Sequence, residues 1–203
     1  MTTIAGITIS VDGFITGPDD RPGQGLGVGG ERLHYWVFGG PWTYDGEHDF
    51  GAMSGEDKVY YDGLTERIGS GVVGRGMYDA AGAWGGKNPF PGTLVVLTHR
   101  PDDPHDESYT FVDDLGRALR LAREAAGIKA VSIAGGADVI RQALAAGEVD
   151  ELYLSTAPVV LGSGKPLFDG SLELDLEPLA VHQSRWATHV RYAVTRSGRS
   201  PAR

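Results

Sequence analysis

Short apolar runs alternate with amphipathic runs through the middle of the chain, and this alternation restricts the fold more than any other feature. Strand-like runs occupy residues 71–74, 93–98, 129–134 and 151–156, and helix-like runs lie near residues 77–81, 115–126 and 137–144. Asp113 would cap the second of these helices. A helix between two strands of one sheet is typical of a parallel crossover. The sequence therefore predicts an α/β fold with a mixed, mainly parallel sheet flanked by helices.

The two ends of the chain complete this sheet. Residues 3–10 predict a first strand, and residues 109–112 predict an edge strand. Residues 176–185 and 189–195 predict an antiparallel hairpin that closes one edge. We expect a single domain over residues 1–196 and a disordered tail over residues 197–203, which are rich in Arg, Gly, Ser and Pro.

A glycine-rich insertion over about residues 17–51 separates the first strand from a helix predicted between Ser54 and Ile68, which Ser54 would cap. Ten of its 35 residues are glycine, so we expect a loop. Residues 25–30 match the G-x-G-x-x-G pattern, but no strand precedes them and no helix begins on them, as a dinucleotide-binding turn requires. We therefore interpret this stretch as a loop near a site.

Composition excludes several classes of protein. The net charge of −9 opposes nucleic-acid binding, and the absence of cysteine excludes disulfides and thiolate zinc sites. The six histidines lack metal-binding spacing, so we expect no metal and interpret them as hydrogen-bonded or exposed. We find no apolar run of membrane length and no signal-peptide pattern, and we expect a cytoplasmic protein without a membrane partner.

Glycine and basic residues follow three of the predicted parallel strands. Gly74 and Arg75 end the first, Thr98, His99 and Arg100 end the second, and Gly135 and Gly136 join the third to a helix. Open α/β sheets bind ligands at the carboxyl ends of their strands, and helix N-termini attract anions. These strand ends therefore predict a site for a phosphate-rich cofactor. Arg100 and His99 favour NADP over NAD, because they can meet a 2′-phosphate.

Several motifs along the chain resemble the dihydrofolate reductase superfamily, and above all its branch that contains the reductase domain of riboflavin biosynthesis. They are residues 10–15 (SVDGFI), 73–75 (VGR), 97–100 (LTHR), 135–139 (GGADV), 149–155 (VDELYLS) and 158–168 (PVVLGSGKPLF). The resemblance covers most of residues 3–195. It implies a three-layer fold, an NADPH-dependent reductase similar to dihydrofolate reductase or 5-amino-6-(5-phosphoribosylamino)uracil reductase, and a homodimer, to which the apolar strands of residues 176–195 would contribute.

The same resemblance assigns roles to residues of this chain. The pyrophosphate would be held by Gly74, Arg75, Gly135, Gly136, Ala137, Asp138 and Val139, and the adenosine phosphate by Thr98, His99 and Arg100. Residues 12–15, including Gly13 and Ile15, would border the nicotinamide. Ser155 would offer a hydroxyl to the substrate heterocycle.

Reduction of C=N or C=O also requires a proton donor. The resemblance places a carboxylate near the start of the helix before the Gly-Arg strand, where Asp57 lies; the alternative is that Asp57 complements the helix dipole. Asp12 is a second catalytic candidate, unless it shapes a turn beside Gly13. The aromatic residues of the insertion, Trp36 among them, either stack on a flat substrate or form a small core of their own.

The function expected from these features is reduction of a small heterocyclic (pteridine- or pyrimidine-like) or carbonyl substrate by NADPH. One alternative is a nucleotide-binding or ligand-sensing protein that has the same scaffold but no catalysis. A flavin-binding protein that uses the aromatic residues of the insertion is a third possibility.

Overall fold

The computed structural model describes residues 1–46 and 49–195 and contains one large sheet of eight strands. In chain order its strands are β1 (Thr3–Ser10), β3 (Ile68–Gly74), β4 (Thr93–Leu97), β5 (Tyr109–Val112), β6 (Ala130–Gly135), β7 (Glu151–Ala157), β9 (Asp175–Gln183) and β10 (Thr188–Thr195). The two short strands β2 (Phe14–Thr16) and β8 (Lys165–Pro166) pair separately. The spatial order is β5-β4-β3-β6-β1-β7-β10-β9.

The pairing confirms the predicted α/β class. Neighbouring strands from β5 to β7 run parallel, whereas β10 is antiparallel to both β7 and β9. The predicted C-terminal hairpin is therefore present, and it closes the edge opposite β5. Residues 109–112 lie at the edge of the sheet, as predicted.

Helices cover both faces of the sheet and give it three layers. They are α1 (Gly55–Thr65), α2 (Arg75–Ala80), α3 (Leu115–Ala126) and α4 (Ala137–Ala145). The small apolar residues of α3 and α4 pack on one face, with Val72, Ile133 and Leu152 among their partners. On the other face Tyr60 of α1 packs near β7, and Tyr78 of α2 packs near β3 to β5.

Two helix caps differ from prediction. Asp114 caps α3, because its carboxylate accepts a hydrogen bond from the Arg117 amide at 2.7 Å. The predicted cap, Asp113, lies one residue earlier. Ser54 occupies the N-cap position of α1, but its side chain makes no capping hydrogen bond. Both helices exist where the apolar spacing predicts them, since packing rather than capping dominates helix stability in a folded protein.

The insertion is mostly irregular but well packed. It contains two short 3-10 helices, Gly30–His34 and Phe50–Ala52, and the first lies against β1, β2 and β7. Leu33 in that helix is fully buried. The G-x-G-x-x-G stretch is held to the fold because the Gly17 amide donates to Leu26 and the Val28 amide donates to Pro18.

The central strands separate at one point. β1 pairs with β6 only from Thr3 to Ala5, so the rest of β1 has a free side toward the carboxyl end of β6. This gap opens the middle of the sheet at the edge where the predicted glycines and arginines lie. Within residues 1–46 and 49–195, no helix is both long and apolar enough to cross a membrane. The predicted tail of residues 197–203 lies outside the described residues.

Candidate active site

A cavity of about 1200 Å³ opens at the carboxyl ends of the parallel strands and extends to the insertion. Single-ligand pockets usually measure about 300–1,000 Å³, so this cavity has room for more than one small molecule. Of the predicted site residues, twelve line it: Ile15, Trp36, Gly74, Arg75, Thr98, His99, Arg100, Gly136, Ala137, Asp138, Val139 and Ser155. Asp12, Gly13, Asp57 and Gly135 are not among the described residues that line it.

The ends of β3 and β6 meet at one side of the cavity. A methyl group added at Gly74 would lie 3.6 Å from the Gly136 nitrogen and 3.6 Å from Val139, so these backbones are in close contact. One added at Gly136 would have only Ile15 near it, at 3.9 Å, and would otherwise occupy open space. Because α4 begins at Ala137, its first backbone N–H groups and the positive end of its dipole lie at this open surface.

Arg75 and Arg100 lie together because they share two carboxylates. Arg75 contacts Asp79 at 2.7 Å and Asp103 at 3.0 Å, and Arg100 approaches the same acids at 3.7 and 3.5 Å. The Thr98 hydroxyl accepts a hydrogen bond from the Arg100 amide at 3.1 Å and so fixes the turn after β4. Arg75 is largely covered, whereas 60% of the Arg100 side chain is exposed. Arg100 is therefore the more accessible cation.

An acidic residue that our sequence argument missed also lines this part of the cavity. Asp113 directly follows β5, the strand next to β4. Asp113 lies outside the three strand ends, with their glycine or basic residues, on which the prediction of NADP rests. The sequence places Asp113 directly after the predicted edge strand. Its place at the cavity follows only if that strand, β5, is recognised as parallel to β4.

The insertion forms the aromatic end of the cavity. Trp36, Phe38, Trp42 and Tyr44 all line it, and successive rings of the last three lie 4.8 and 5.1 Å apart. The two predictions for these residues are thus compatible, since the rings pack on one another and also face the cavity. His34 lies among them, and burial lowers the pKa of its imidazole to about 4. Its ring is therefore uncharged at neutral pH.

A buried chain of polar groups reaches the cavity at Ser155. The Ser155 hydroxyl lies 2.7 Å from Nδ1 of His189, and Nε2 of His189 lies 2.9 Å from Oδ1 of Asp57. The Tyr60 hydroxyl is 3.2 Å from Ser155, and the Tyr60 ring stacks on the imidazole at 4.0 Å. His189 is fully buried and Asp57 is 3% exposed. Asp57 therefore lies behind His189, away from the surface that lines the cavity.

His189 is the second residue that we missed. It fits our interpretation of the histidines as hydrogen-bonded or exposed, but that interpretation gave it no link to Ser155. The link comes from the pairing of β10 with β7, which places these residues directly opposite each other. Burial is the main cause that lowers the pKa of His189, and the Asp57 carboxyl partly offsets this effect.

Asp12 and Gly13 form a turn outside the cavity. The Asp12 carboxylate accepts hydrogen bonds from the backbone amides of Leu161 and Gly162 at 3.1 and 2.7 Å. A hydrogen bond from the Ser10 hydroxyl, together with these amides, lowers the pKa of Asp12 to about 2. A carboxyl group that stays ionised is a poor proton donor near neutral pH. The geometry thus favours the turn-shaping interpretation of Asp12 over the catalytic one.

Comparison with known proteins agrees with this architecture. The profile of the RibD C-terminal domain family matches residues 2–189. Two uncharacterized proteins of Bacillus subtilis (strain 168) are similar to this chain. YwjB is 32% identical over 119 residues, and the match covers 57% of this chain and 67% of YwjB. YyaP is 34% identical over 137 residues, and the match covers 61% of this chain and 71% of YyaP.

Solved structures share the fold at low sequence identity. A putative riboflavin biosynthesis protein from Shewanella sp. PV-4 has a TM-score of 0.67 at 20% identity and covers 97% of this chain and 100% of its own. Dihydrofolate reductase from Enterococcus faecalis, complexed with NADP(H), has a TM-score of 0.58 at 17% identity, and the match covers 96% of this chain and 97% of the reductase chain. A pyrimidine reductase-like protein from Corynebacterium diphtheriae has a TM-score of 0.57 at 20% identity, and the match covers 97% of this chain and 92% of that protein's chain.

These likenesses confirm a dihydrofolate reductase-like α/β fold. Because the family profile extends over nearly the whole described chain, the protein belongs to the RibD C-terminal domain family.

Proposed function

We propose that this protein is an NADPH-dependent reductase of a small, flat heterocyclic or carbonyl substrate. The observation that carries the proposal is that the strand ends predicted to bind phosphate and the Ser155 hydroxyl line one cavity. Its volume of about 1200 Å³ exceeds the usual size for one ligand, as simultaneous binding of a coenzyme and a substrate requires.

The residues at the strand ends fit a nicotinamide coenzyme. The open surface at Gly136, next to the first amides of α4, accepts an anionic group that any side chain at this position would displace. Arg75 and Arg100 add positive charge within the same cavity. The coenzyme, when bound, supplies a hydride.

The aromatic end fits a flat substrate. Trp36 is held by a 3.1 Å hydrogen bond from its indole N–H to the Thr8 hydroxyl, and its edge meets the Tyr60 ring at 5.8 Å. Flat heterocycles stack well on aromatic faces. Thr8 and Ser155 line the cavity beside these rings and supply hydroxyl groups for orientation.

The choice between NADPH and NADH depends on Arg100 and Asp113. A guanidinium group favours a 2′-phosphate, whereas a carboxylate favours a ribose diol. Asp79 and Asp103 already hold Arg75, so the mostly exposed Arg100 has the greater freedom to turn toward a phosphate. We therefore propose NADPH as the preferred coenzyme.

Quenching of tryptophan fluorescence by NADPH and by NADH tests this proposal. We expect tighter binding of NADPH, and we expect Arg100→Ala to remove the difference at a cost of about 1–3 kcal/mol, which is about 5- to 150-fold in affinity. Arg120→Ala is the matched control, because Arg120 is exposed on α3 and is not among the residues described at the cavity. Equal affinity for the two coenzymes in the unaltered protein would contradict the assignment of Arg100.

A panel of pteridines, pyrimidines and simple carbonyl compounds then tests catalysis by loss of NADPH absorbance. We expect at least one member to be reduced. Tight NADPH binding without reduction of any member would contradict a reductase and support the non-catalytic alternative, in which the same scaffold senses a nucleotide.

A further inference from the structure

Four polar side chains form a row across the sheet beneath the aromatic end of the cavity. Thr8 of β1 is opposite Ser155 of β7, Ser155 is opposite His189 of β10, and His189 is opposite His182 of β9. Directly opposed residues point to the same face of a sheet. The row therefore extends from the cavity, at Thr8 and Ser155, into the protein at His189.

The positions of the protons in this row follow from its hydrogen bonds. A neutral imidazole carries one N–H, and the Asp57 carboxylate requires it on Nε2 at 2.9 Å. Nδ1 then accepts the Ser155 hydrogen at 2.7 Å, so Ser155 has only lone pairs to offer a ligand. In the imidazolium both nitrogens donate, and Nδ1–H bonds to the Ser155 oxygen. The Ser155 hydrogen is then released from Nδ1 and can be donated to the Tyr60 hydroxyl, 3.2 Å away, or to a ligand in the cavity.

We propose that Ser155 is the proton donor of this site and that His189, held by Asp57, is the positioning residue that stores the proton. This inference rests on the proposed reductase function, which supplies the hydride from NADPH to a carbon atom of the substrate. As that carbon is reduced, the Ser155 O–H bond breaks and a new N–H or O–H bond forms on the adjacent substrate atom. The proton on Nδ1 of His189 moves to Ser155, which leaves a neutral imidazole. A solvent proton that enters through the cavity and Ser155 then restores the imidazolium.

The other groups around His189 do not replace Ser155 in this role. From α1, Asp57 is buried behind the imidazole, and the Tyr60 hydroxyl lies 3.2 Å from Ser155 while the two His189 nitrogens are bonded to Ser155 and Asp57, so Tyr60 has no direct source of a second proton. From β9, His182 is bonded at 2.9 Å to the exposed Glu56 of α1. From the insertion, Trp36 presents its ring to His189 at 4.8 Å and donates its N–H to Thr8.

The environment of His189 suits a group that takes up and releases a proton. Burial disfavours the imidazolium, and the Asp57 carboxyl favours it, with a net lowering of the pKa of His189. The reaction should therefore be fastest on the acid side, where the imidazolium is present, and should slow as the pH rises through the His189 midpoint.

The first experiment is a pH titration of ¹⁵N-histidine-labelled protein without ligands, observed by NMR. We expect His189 to carry its hydrogen on Nε2 at pH 8 and to gain a second on Nδ1 with a midpoint below 6.5. Ser155→Ala should move this midpoint, and His105→Gln should not, because His105 is exposed and lies 2.7 Å from the Asp103 carbonyl rather than in this row. Detection of an Nδ1–H neutral form, or no protonation in the folded protein down to pH 4, would overturn the proposal.

The second experiment uses the panel member that the protein reduces. We expect Ser155→Ala and His189→Gln each to lower kcat by about 10²- to 10⁴-fold with NADPH affinity unchanged, and to remove the decline of kcat with rising pH. His105→Gln should retain both the kcat and its decline with rising pH. An unchanged pH profile in Ser155→Ala would overturn the relay, whereas reduction of the panel member by the unaltered protein would still uphold the reductase. Labelling of Ser155 by a fluorophosphonate would also overturn it, because the serine would then be a nucleophile.

Discussion

Substitution of Leu33 by Ala tests whether the glycine-rich insertion is part of the core and hence a fixed wall of the cavity. Leu33 is fully buried in the 3-10 helix that lies against β1, β2 and β7. The substitution removes three carbon atoms, worth about 2.4 kcal/mol in transfer free energy at about 0.8 kcal/mol each. The empty space left behind adds to this, and the expected loss of unfolding free energy is about 3–5 kcal/mol.

Urea unfolding, followed by circular dichroism and tryptophan fluorescence, measures this loss. A domain of this size should lose about 2–4 °C of Tm per kcal/mol, so Tm should fall by about 6–20 °C. Val28→Ala is the matched control within the insertion, because Val28 is 52% exposed and its removal should change the stability by at most about 0.5 kcal/mol. An equally small effect of Leu33→Ala would refute the packed insertion.

Three further predictions concern the site and its surroundings. Gly136→Ala should leave Tm within about 2 °C, because the added methyl group has only Ile15 within 4 Å, yet it should weaken NADPH binding by at least about tenfold, measured by calorimetry. Lowering the pH from 6.5 toward about 4 should decrease the free energy of unfolding, because burial lowers the pKa of His34 to about 4 and unfolding in this range takes up a proton. The urea midpoint should therefore fall less steeply with decreasing pH in His34→Phe. A part of the pH dependence should remain in this variant, because the pKa of His189 is also lowered. Asp12→Ala should speed hydrogen exchange at the Leu161 and Gly162 amides without changing NADPH affinity. In the unaltered protein, the protection of these amides from exchange by the Asp12 carboxylate should be full above pH 3.8 and should be lost as the pH falls toward about 2.

The parts of the site that lie at strand ends could be predicted from the sequence. Gly74, Thr98 and Gly136 each follow an apolar run, and parallel strands with helical crossovers end at the same edge. Local patterns of apolar residues therefore suffice to bring these residues together. The clustering of Arg75 with Arg100 follows from the same geometry.

The rest of the site depends on contacts between distant segments. Opposition of His189 and Ser155 requires the register between β10 and β7, and a shift of one residue would turn His189 to the other face. No local signal in residues 188–195 fixes that register. The insertion shows the same limit, because its glycines predict a loop whereas the burial of Leu33 and Trp36 depends on the surfaces of β1 and β7.

A crystal structure of the protein soaked with NADPH would locate the coenzyme relative to the strand ends. We expect a pyrophosphate beside the amides of Gly136 and Ala137, a 2′-phosphate within reach of Arg100, and a nicotinamide ring on the side of the cavity that Ser155 faces. A coenzyme bound elsewhere, or phosphates that contact neither Gly136 nor Arg100, would contradict it.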